Sequence, residues 1–405
     1  MRFNLWEDCN RVPLTELLSF VVDNRGKTVP TAPSGHKLIA TNCVTNNALF
    51  PVYEKIRYLS EETYQTWFRA HPIPGDILFV NKGTPGRVCL VPDPVDFCIA
   101  QDMIALRADE SKIYPKYLFA VLRSREIQQQ IYNTNVGDVI PHFKKQFLDQ
   151  LLIPIPERSI QESIGDLYYV LSLKAERNKK INDNLQQQAA AIFRSWFVDY
   201  APFGGTAPNE WKNVTLEEIT ALVSRGITPK YADDADQIVI NQKCIRNHMI
   251  DLSLARSHKP KVINDKWLRF GDLLINSTGD GTLGRVAQVW FQPHNLTVDS
   301  HVTIVRPAAE NTIFYIGLWG IQHEKEIESL HTGSTGQTEL PRDRVKALEL
   351  LLPDKETLDR FNALIAPMAA DIISNQEENN RLASIRDALL PKLMSGKIDV
   401  SGIQL

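Results

Sequence analysis

Residues 279–284 (GDGTLG) have the G-x-G-x-x-G spacing that many proteins use to bind a dinucleotide. In such a site, the glycine backbone and the N-terminus of the following helix hold the pyrophosphate. Here the next stretch, residues 285–290 (RVAQVW), alternates as a strand does. The pattern therefore predicts a turn between two strands, and dinucleotide binding is the disfavoured alternative.

A second pattern has the residue types that hold magnesium at a phosphate. Pro92-Asp93 with Glu110 and Lys112 fits the loose P-D…[DE]-x-K spacing of nucleases. Asp93, however, lies in a Pro-Asp-Pro turn, and such spacing is common by chance. Nuclease activity of the chain alone is therefore kept only as an alternative.

Other patterns that mark catalysis do not occur in the sequence. It has no [ND]-P-P-[YF] loop for methyl transfer to adenine, no Walker A motif and no H-x-x-x-H pair. The five cysteines are an odd number without a C-x-x-C pair, which argues against disulfides or zinc and for a reducing cytoplasm. We expect no catalytic residue, no cofactor and no metal in this chain.

Length and charge limit the remaining classes. The 405 residues are enough for about two to four domains. No apolar run approaches the roughly 18–20 residues of a membrane span, and no signal-peptide pattern occurs at the N-terminus. The net charge of −3 neither indicates nor excludes nucleic-acid binding, because that depends on local clusters of lysine and arginine.

The chain contains an internal repeat, in which residues 1–155 match residues 200–352. Four matches occur in the same order, and alternating apolar positions around them predict short strands in two mixed α/β globules. The matched segments are 25–30 with 225–230, 39–44 with 240–245, 75–80 with 271–276 (continued by 86–88 with 284–286), and 102–107 with 301–306.

A long helical pattern follows each globule, at residues 157–198 and 354–395. Apolar residues recur in steps of three and four, which predicts helices of about 42 residues and roughly 60 Å. Helices too long for a compact domain are expected to pack on each other as a coiled coil, with asparagines fixing its register. Pro367 predicts a kink or a short break in the second helix.

This layout closely resembles the DNA-specificity subunit of Type I restriction-modification systems over essentially the whole chain. The resemblance rests on the duplicated G-D-[IL]-L…G-R-V core, the R-G-x-T turn and the proline-led helix after each globule. The opening typical of the family is clear at residues 211–217. The N-terminal segment departs from it, with only Trp6 and residues 14–16 in an altered spacing.

The resemblance implies an α+β fold with two target-recognition domains, residues 1–155 and 200–352. Spacer helices at 156–199 and 353–405, the latter with a tail, would form an antiparallel coiled coil. The implied function is a non-catalytic, cytoplasmic subunit that reads a bipartite double-stranded DNA target, one half per domain. The expected partners are two adenine methyltransferase subunits and motor-endonuclease subunits. S-adenosylmethionine, ATP and magnesium would be held by those partners, and no membrane is involved.

Polar and cationic residues of the matched loops are the candidate DNA contacts, because phosphates attract lysine and arginine and base edges pair with asparagine, glutamine, arginine and lysine. Base-reading residues are expected to differ between the globules, whereas the shared Arg87 and Arg285 are expected to hold the fold. Candidates in the first globule are Arg25, Lys27, Thr28, Asn42, Asn46, Asn81, Lys82, Arg87, Lys144 and Lys145. Candidates in the second are Arg225, Thr228, Lys230, Gln242, Lys243, Arg246, Asn247, Ser277, Thr278, Arg285, Arg342 and Arg344.

Phe193, Trp196 and Phe197, near the end of the first long helix, are the candidate residues for docking a partner. Two further interpretations stay open. One is the recognition subunit of a related restriction system that cuts on both sides of its site. The other, from a different class, is a coiled-coil scaffold that binds proteins and does not read DNA.

Overall fold

The computed structural model describes residues 4–24, 26–53, 55–134, 140–233, 235–279, 281–333 and 338–398. The chain divides into two compact units. Unit 1 consists of residues 1–178 and 378–405, and unit 2 consists of residues 179–377. The candidate Arg25 lies outside the described residues.

Two sheets form the centre of unit 1. Its strands are β1 (Asn10–Pro13), β2 (Leu18–Val22), β3 (His36–Ile39), β4 (Arg57–Leu59), β5 (Ile77–Val80), β6 (Val88–Leu90), β7 (Phe97–Ile99), β8 (Met103–Ala108) and β9 (Leu152–Ile155). In the described part of this unit, four strands pair antiparallel in the order β2-β8-β5-β6, and three more have the order β4-β3-β7. β1 pairs with β9.

The apolar run of β5 is explained by burial on both faces of the larger sheet. Ile77 and Phe79 pack among the helices of unit 1, and Leu78 and Val80 pack against the smaller sheet. Alternate side chains of a strand point to opposite faces, so only a strand covered on both sides is apolar throughout. The sequence Ile-Leu-Phe-Val therefore sets the position of β5 between the two layers.

Unit 2 repeats this arrangement. Its strands are β10 (Lys212–Thr215), β11 (Thr220–Arg225), β12 (Gln237–Ile240), β13 (Ile245–Arg246), β14 (Met249–Ile250), β15 (Arg256–His258), β16 (Leu273–Asn276), β17 (Val286–Gln288), β18 (Leu296–Val298), β19 (Val302–Pro307) and β20 (Glu349–Leu352). Over the described residues, four strands have the order β11-β19-β16-β17, and the smaller sheet has the order β15-β12-β18. Both orders match those of unit 1, so the repeat found in the sequence is a repeat of topology.

The helices that follow β8 and β19 also correspond in the two units. They are α1 (Leu5–Asp8), α2 (Glu61–Thr66), α3 (Pro115–Leu122), α4 (Arg125–Thr134), α5 (Arg158–Phe197), α6 (Ile313–Gln322), α7 (Glu324–Ser329), α8 (Arg342–Lys346) and α9 (Lys355–Met394). Tyr117 on α3 and Tyr315 on α6 are equivalent, because each hydroxyl donates to a carbonyl of the strand before a long helix, at 2.8 Å and 2.7 Å.

Each unit contains one antiparallel pair of long-helix segments, with an asparagine pair near one end of these segments. In unit 1, Asn178 Nδ2 donates to Asn379 Oδ1 at 3.0 Å. In unit 2, Asn375 Nδ2 donates to Asn182 Oδ1 at 2.8 Å. Polar pairs in an apolar seam are satisfied only in one alignment, so they fix the register of both helix pairs.

The sequence predicts a kink or a short break at Pro367, and the helix α9 continues through this residue without a break. Proline removes the amide that would bond to the carbonyl of Ala363, four residues earlier. Both residues are exposed, and water can satisfy that carbonyl at little cost.

Candidate nucleic-acid interface

One end of the larger sheet in unit 1 gathers most of the candidate DNA contacts. Neighbouring strands run antiparallel, so β2 and β5 end where β8 and β6 begin. The turn after β3 reaches the same end, because Ala100 N donates to the Ile39 carbonyl at 3.0 Å. The segments 26–30, 40–48, 81–87, 100–102 and 140–145 are called the loop edge of unit 1.

Hydrogen bonds connect the segments of this loop edge. Asn81 N donates to the Asp102 carbonyl at 2.9 Å, and Phe143 N donates to the Asn81 carbonyl at 2.8 Å. Lys145 Nζ lies 2.8 Å from an Asp23 oxygen, which ties the segment after β2 to the segment before β9. The loops are thus a connected surface whose positions are set by the sheet.

The candidate residues of unit 1 separate into supporting and exposed side chains. Asn81 is buried, with Nδ2 donating to the Phe143 carbonyl at 3.2 Å, and Asn46 Oδ1 accepts from Val88 N at 2.9 Å. These two amides hold the loops. The side chains on the outside are Lys27, Thr28, Asn42, Lys82, Arg87, Lys144 and Lys145.

Unit 2 has an equivalent loop edge, formed by segments 226–230, 241–248, 277–285 (without residue 280), 299–301 and 338–342. Ser277 N donates to the His301 carbonyl and Leu340 N donates to the Ser277 carbonyl, both at 2.8 Å. Asn276 Nδ2 donates to the Gln242 carbonyl at 3.0 Å. The backbone scaffold of unit 1 is therefore reproduced in unit 2.

Several unit 2 candidates support this scaffold. Arg225 donates to the Leu340 carbonyl at 2.9 Å and pairs with Glu339 at 2.7 Å. Ser277 is buried against Thr303, and Thr278 bonds to His301. The remaining candidates include the exposed residues Thr228, Lys230, Lys243, Arg246, Asn247, Arg342 and Arg344, together with the half-buried Gln242 and Arg285.

The G-R-V motif holds a loop against a helix in each unit. Gly86 and Gly284 have φ values of +87° and +83°. A Cβ on Gly284 would lie 2.5 Å from the Cβ of Glu328 on α7. Only glycine tolerates both the backbone conformation and this approach. Arg285 follows the glycine and donates to the Gly281 carbonyl at 2.7 Å, as expected for a residue that holds the fold.

Two ion pairs, one in each larger sheet at the end opposite the loop edge, were missed from the sequence. Asp76 forms two hydrogen bonds with Arg107, at 2.9 Å and 3.0 Å. Asp272 forms two with Arg306, at 2.8 Å and 2.7 Å. The sequence did contain a signal for these pairs. The Gly-Asp motif occurs in both units, and so does an arginine near the end of β8 and of β19. The repeat showed that these positions matched, but not that the aspartate and the arginine meet.

Basic residues beside the unit 2 loop edge were also missed. Lys259, Lys261 and Lys266 follow β15, and Lys266 Nζ donates to the Gly226 carbonyl at 2.9 Å. Burial lowers the pKa of Lys266, and the positive charges of Lys261 and Arg342 lower it further. Lys259 N donates to the Lys230 carbonyl at 2.8 Å, which places this basic segment beside a candidate residue of the loop edge. The run Lys-Pro-Lys at 259–261 was the sequence signal.

One carboxyl group behind the unit 2 loop edge has a perturbed pKa. Burial raises the pKa of Asp299, while the amide and the charge of His301 act in the opposite direction. His301 N donates to Asp299 Oδ1 at 2.9 Å. This contact fixes the backbone at the start of β19, next to the loops that carry the candidate contacts.

The candidate docking residues are placed differently from the expectation. Phe193 and Phe197 are only 2% and 9% exposed. Their rings contact Tyr315 and Phe361 in the core of unit 2. Trp196 is half-buried against Phe361. These aromatic residues of α5 continue the seam between the long helices into the core of unit 2. The two phenylalanine rings are therefore not available to bind a partner.

Neither candidate catalytic pattern forms a site. The stretch 279–284 connects the antiparallel strands β16 and β17, which confirms the prediction of a turn between strands. Lys112 pairs with Asp109 and donates to the Glu16 carbonyl. Within the described ranges, no three potential metal ligands lie together, and no helix is long and apolar enough to cross a bilayer.

Comparison with known proteins finds similarity to one family. Residues 21–187 match the family model described as the Type I restriction modification DNA specificity domain. The Type I restriction enzyme MjaIX specificity subunit of Methanocaldococcus jannaschii is 24% identical over 351 residues, covering 80% of this chain and 78% of that protein. The HindI specificity subunit of Haemophilus influenzae is 22% identical over 400 residues, covering 80% and 86%.

The fold has a counterpart among solved structures. The crystal structure of the type I restriction-modification S subunit from M. genitalium aligns with a TM-score of 0.58 and 15% identity, covering 97% of this chain and 98% of that one. The likeness supports the repeated α+β architecture seen here. Residues 21–187 therefore match a type I restriction-modification DNA specificity domain, and 80% of the chain is similar in sequence to specificity subunits of such systems.

Proposed function

We propose that the chain is a non-catalytic subunit that reads a bipartite double-stranded DNA target, with one half-site for each loop edge. The observation that carries this proposal is the pair of equivalent loop edges, which share a backbone scaffold but differ in their exposed side chains. A shared scaffold presents both surfaces in the same way to a duplex. Different side chains at equivalent positions give different half-sites, as a split and asymmetric target requires.

Charge at the loop edges favours DNA over a protein ligand. The exposed candidate cations of the unit 1 loop edge are Lys27, Lys82, Arg87, Lys144 and Lys145, and Lys145 forms an ion pair with Asp23. Unit 2 has a similar group, extended by Lys259 and Lys261. The chain as a whole has a net charge of −3, so these cations are local groups of positive charge on a chain that is slightly acidic overall.

The partners are part of the same proposal. Adenine methyltransferase subunits carrying S-adenosylmethionine would modify the target, and motor-endonuclease subunits using ATP and magnesium would cut. Because Phe193 and Phe197 lie in the core, the methyltransferase subunits would bind to apolar side chains of the long helices that remain exposed. These are Val170 and Ile385 in unit 1 and Ile181 and Leu364 in unit 2.

Modified-base mapping of the genome, with the gene intact and deleted, tests the proposed function. The expected result is one split motif that carries N6-methyladenine in each half and disappears on deletion. Restoring the gene on a plasmid should restore the motif. If purified chain and partner subunits bind and methylate DNA without sequence preference, the proposal is wrong.

The alternatives have distinct outcomes in the same experiments. A scaffold that does not read DNA would bind partners but show no sequence-dependent DNA binding. Cleavage at fixed distances on both sides of the motif would assign the chain to a both-sides-cutting system instead. Hydrolysis of DNA by the purified chain alone, lost in Asp93→Ala, would revive the nuclease interpretation.

Docking is tested by Ile181→Glu and Leu364→Glu, two exposed positions of unit 2. The expected result is loss of co-purifying methyltransferase with an unchanged melting temperature of the chain. The matched control is Lys355→Glu, an exposed change of charge at the start of α9. Retention of the methyltransferase by the double variant would refute this docking face.

A further inference from the structure

Asp102 directly precedes β8 in unit 1, and His301 directly precedes the equivalent strand β19 in unit 2. Both positions accept a backbone hydrogen bond from the loop opposite, from Asn81 N at 2.9 Å and from Ser277 N at 2.8 Å. β8 and β19 are interior strands of their sheets, so both side chains lie near the middle of a loop edge. The two units thus have different chemistry at an equivalent, central position.

Asp102 differs from the charged residues around it. Its side chain is half-buried, and among the described residues its carboxylate has no hydrogen-bond donor and no ion pair. The neighbouring exposed residues Lys82 and Arg87 are cations. Water can solvate a half-buried carboxylate, and a ligand with a hydrogen-bond donor can take the place of that water.

Two more acceptors of the same loop edge lack donors. Gln101 Oε1 and Asn81 Oδ1 are both buried without a hydrogen-bond partner in the described structure. Together with the Asp102 carboxylate, they form a group of unsatisfied acceptors where β5 ends and β8 begins. This edge of unit 1 is therefore prepared for a ligand that donates hydrogen bonds.

The equivalent positions in unit 2 are satisfied by the protein itself. Ser277, which corresponds to Asn81, bonds through Oγ to Thr303 Oγ1 at 2.6 Å. His301, which corresponds to Asp102, bonds through Nδ1 to Thr278 Oγ1 at 2.6 Å. Unit 2 therefore differs at these two positions, although one buried acceptor next to them, Asn276 Oδ1, also has no partner in the described structure.

The hydrogen-bond donors that DNA can offer to a carboxylate are the exocyclic amino groups of its bases. Phosphates are anions and repel it. The base edges of the major groove present the exocyclic amino groups of cytosine and adenine, which donate hydrogen bonds. A carboxylate within a DNA-binding surface is therefore suited to a base edge and unsuited to the backbone.

On the basis of the proposed function, we propose that Asp102 determines specificity in the first half-site by accepting a hydrogen bond from the exocyclic amino group of one base. His301 occupies the equivalent position for the second half-site, where its ring can donate to a base acceptor. A base without an amino group at the first position leaves the carboxylate unpaired and is rejected. The difference between these two residues is one source of the difference between the half-sites.

The test uses the full chain with its partner subunits in cells, with modified-base mapping as the readout. Asp102→Asn is expected to change or relax one base position in the first half of the motif and to leave the second half intact. His301→Ala is expected to act only on the second half. The control is Asp93→Asn, an exposed acid in the segment between β6 and β7, away from the loop edge.

Binding by the purified complex gives the magnitude. Discrimination at the affected position, measured as the ratio of Kd values for duplexes that differ in that base pair, should fall at least about tenfold in Asp102→Asn. If Asp102→Asn abolishes all methylation, Asp102→Glu keeps the carboxylate. Recovery with glutamate supports the proposal, and continued loss overturns it.

The remaining outcomes separate this proposal from the proposed function. If the unaltered chain gives a split motif and Asp102→Asn leaves every position of the first half unchanged, the role of Asp102 is refuted and the function stands. If the unaltered chain gives no split motif, the proposed function fails and this proposal fails with it.

Discussion

Replacing Arg306 with methionine tests how strongly unit 2 depends on the ion pair with Asp272. The Arg306 and Asp272 side chains are 7% and 1% exposed. Arg306 also donates to the carbonyls of Asp265 and Trp267, at 2.8 Å and 2.7 Å. Methionine fills much of the space but leaves the carboxylate and two carbonyls without their donor. Breaking a buried pair on one side costs about 3–5 kcal/mol of unfolding free energy.

The equivalent change in unit 1 provides a matched control. The Arg107 side chain is 29% exposed, and within the described structure its hydrogen bonds go only to Asp76. Without Arg107, water can reach the Asp76 carboxylate through the space that the guanidinium leaves. Arg107→Met should therefore cost only about 1–3 kcal/mol. The difference between the two variants isolates the effect of burial, because the motif, the strand position and the substitution are the same.

Hydrogen exchange followed by mass spectrometry measures each unit separately. Amides of β16 and β19 report the opening free energy of unit 2, and those of β5 and β8 report that of unit 1. The reasoning would be refuted if Arg107→Met destabilised its sheet as much as Arg306→Met does. A cost below about 1 kcal/mol for Arg306→Met would also contradict it.

Four further changes have defined outcomes. Asn178→Leu with Asn379→Leu should raise the unfolding free energy of unit 1 by about 1–2 kcal/mol, measured by exchange, because an apolar pair replaces a polar one in the seam. Phe197→Ala should cost unit 2 about 3–5 kcal/mol in denaturant unfolding, because the ring lies in its core. Lys261→Ala should lower the slope of log Kd against log salt by about 1, because one phosphate contact is lost. Burial raises the pKa of Asp299, so unit 2 loses stability as the pH rises from about 4 through the folded-state pKa, and Asp299→Asn should remove that slope in pH-dependent unfolding.

Each of these changes has a control on the same chain. Ile181→Ala, at an exposed helix position, should cost less than about 0.5 kcal/mol. Lys355→Ala should leave the salt dependence of DNA binding unchanged. Asp236→Asn, at an exposed loop position, should leave the pH slope intact. The seam argument is contradicted if the double leucine variant is less stable, and the core argument is contradicted if Phe197→Ala costs little stability. The other two arguments are contradicted if Lys261→Ala leaves the salt slope unchanged or Asp299→Asn leaves the pH slope unchanged.

The architecture was largely predictable because the repeat shows each pattern twice. Strands at β5, β8, β16 and β19 were found from short apolar runs, and the loop at 279–284 was correctly separated from a phosphate-binding turn. Residues joined by long-range contacts were less predictable. No local pattern shows that Arg306 meets Asp272, since sheet pairing brings together residues 34 positions apart.

The candidate site shows the same division between local and long-range information. Exposed cations such as Lys82 were found because residue type and loop position are local properties. Phe197 was assigned to a partner surface, because a helical stripe shows which residues share a face but not what covers that face. Asp102 was not among the sequence candidates, because those were polar and cationic residues and Asp102 is an anion. Its missing donor becomes visible only when the neighbouring loops are placed around it.

The division of the chain sets an order for folding during synthesis. Unit 2 is one continuous stretch, whereas unit 1 needs residues from before and after it. Leu390, Leu393 and Met394 belong to the core of unit 1, although the ribosome adds them after all of unit 2. A nascent chain can therefore finish the second half before the first. A premature stop shortly after residue 377 would leave unit 2 complete and unit 1 without its closing helix.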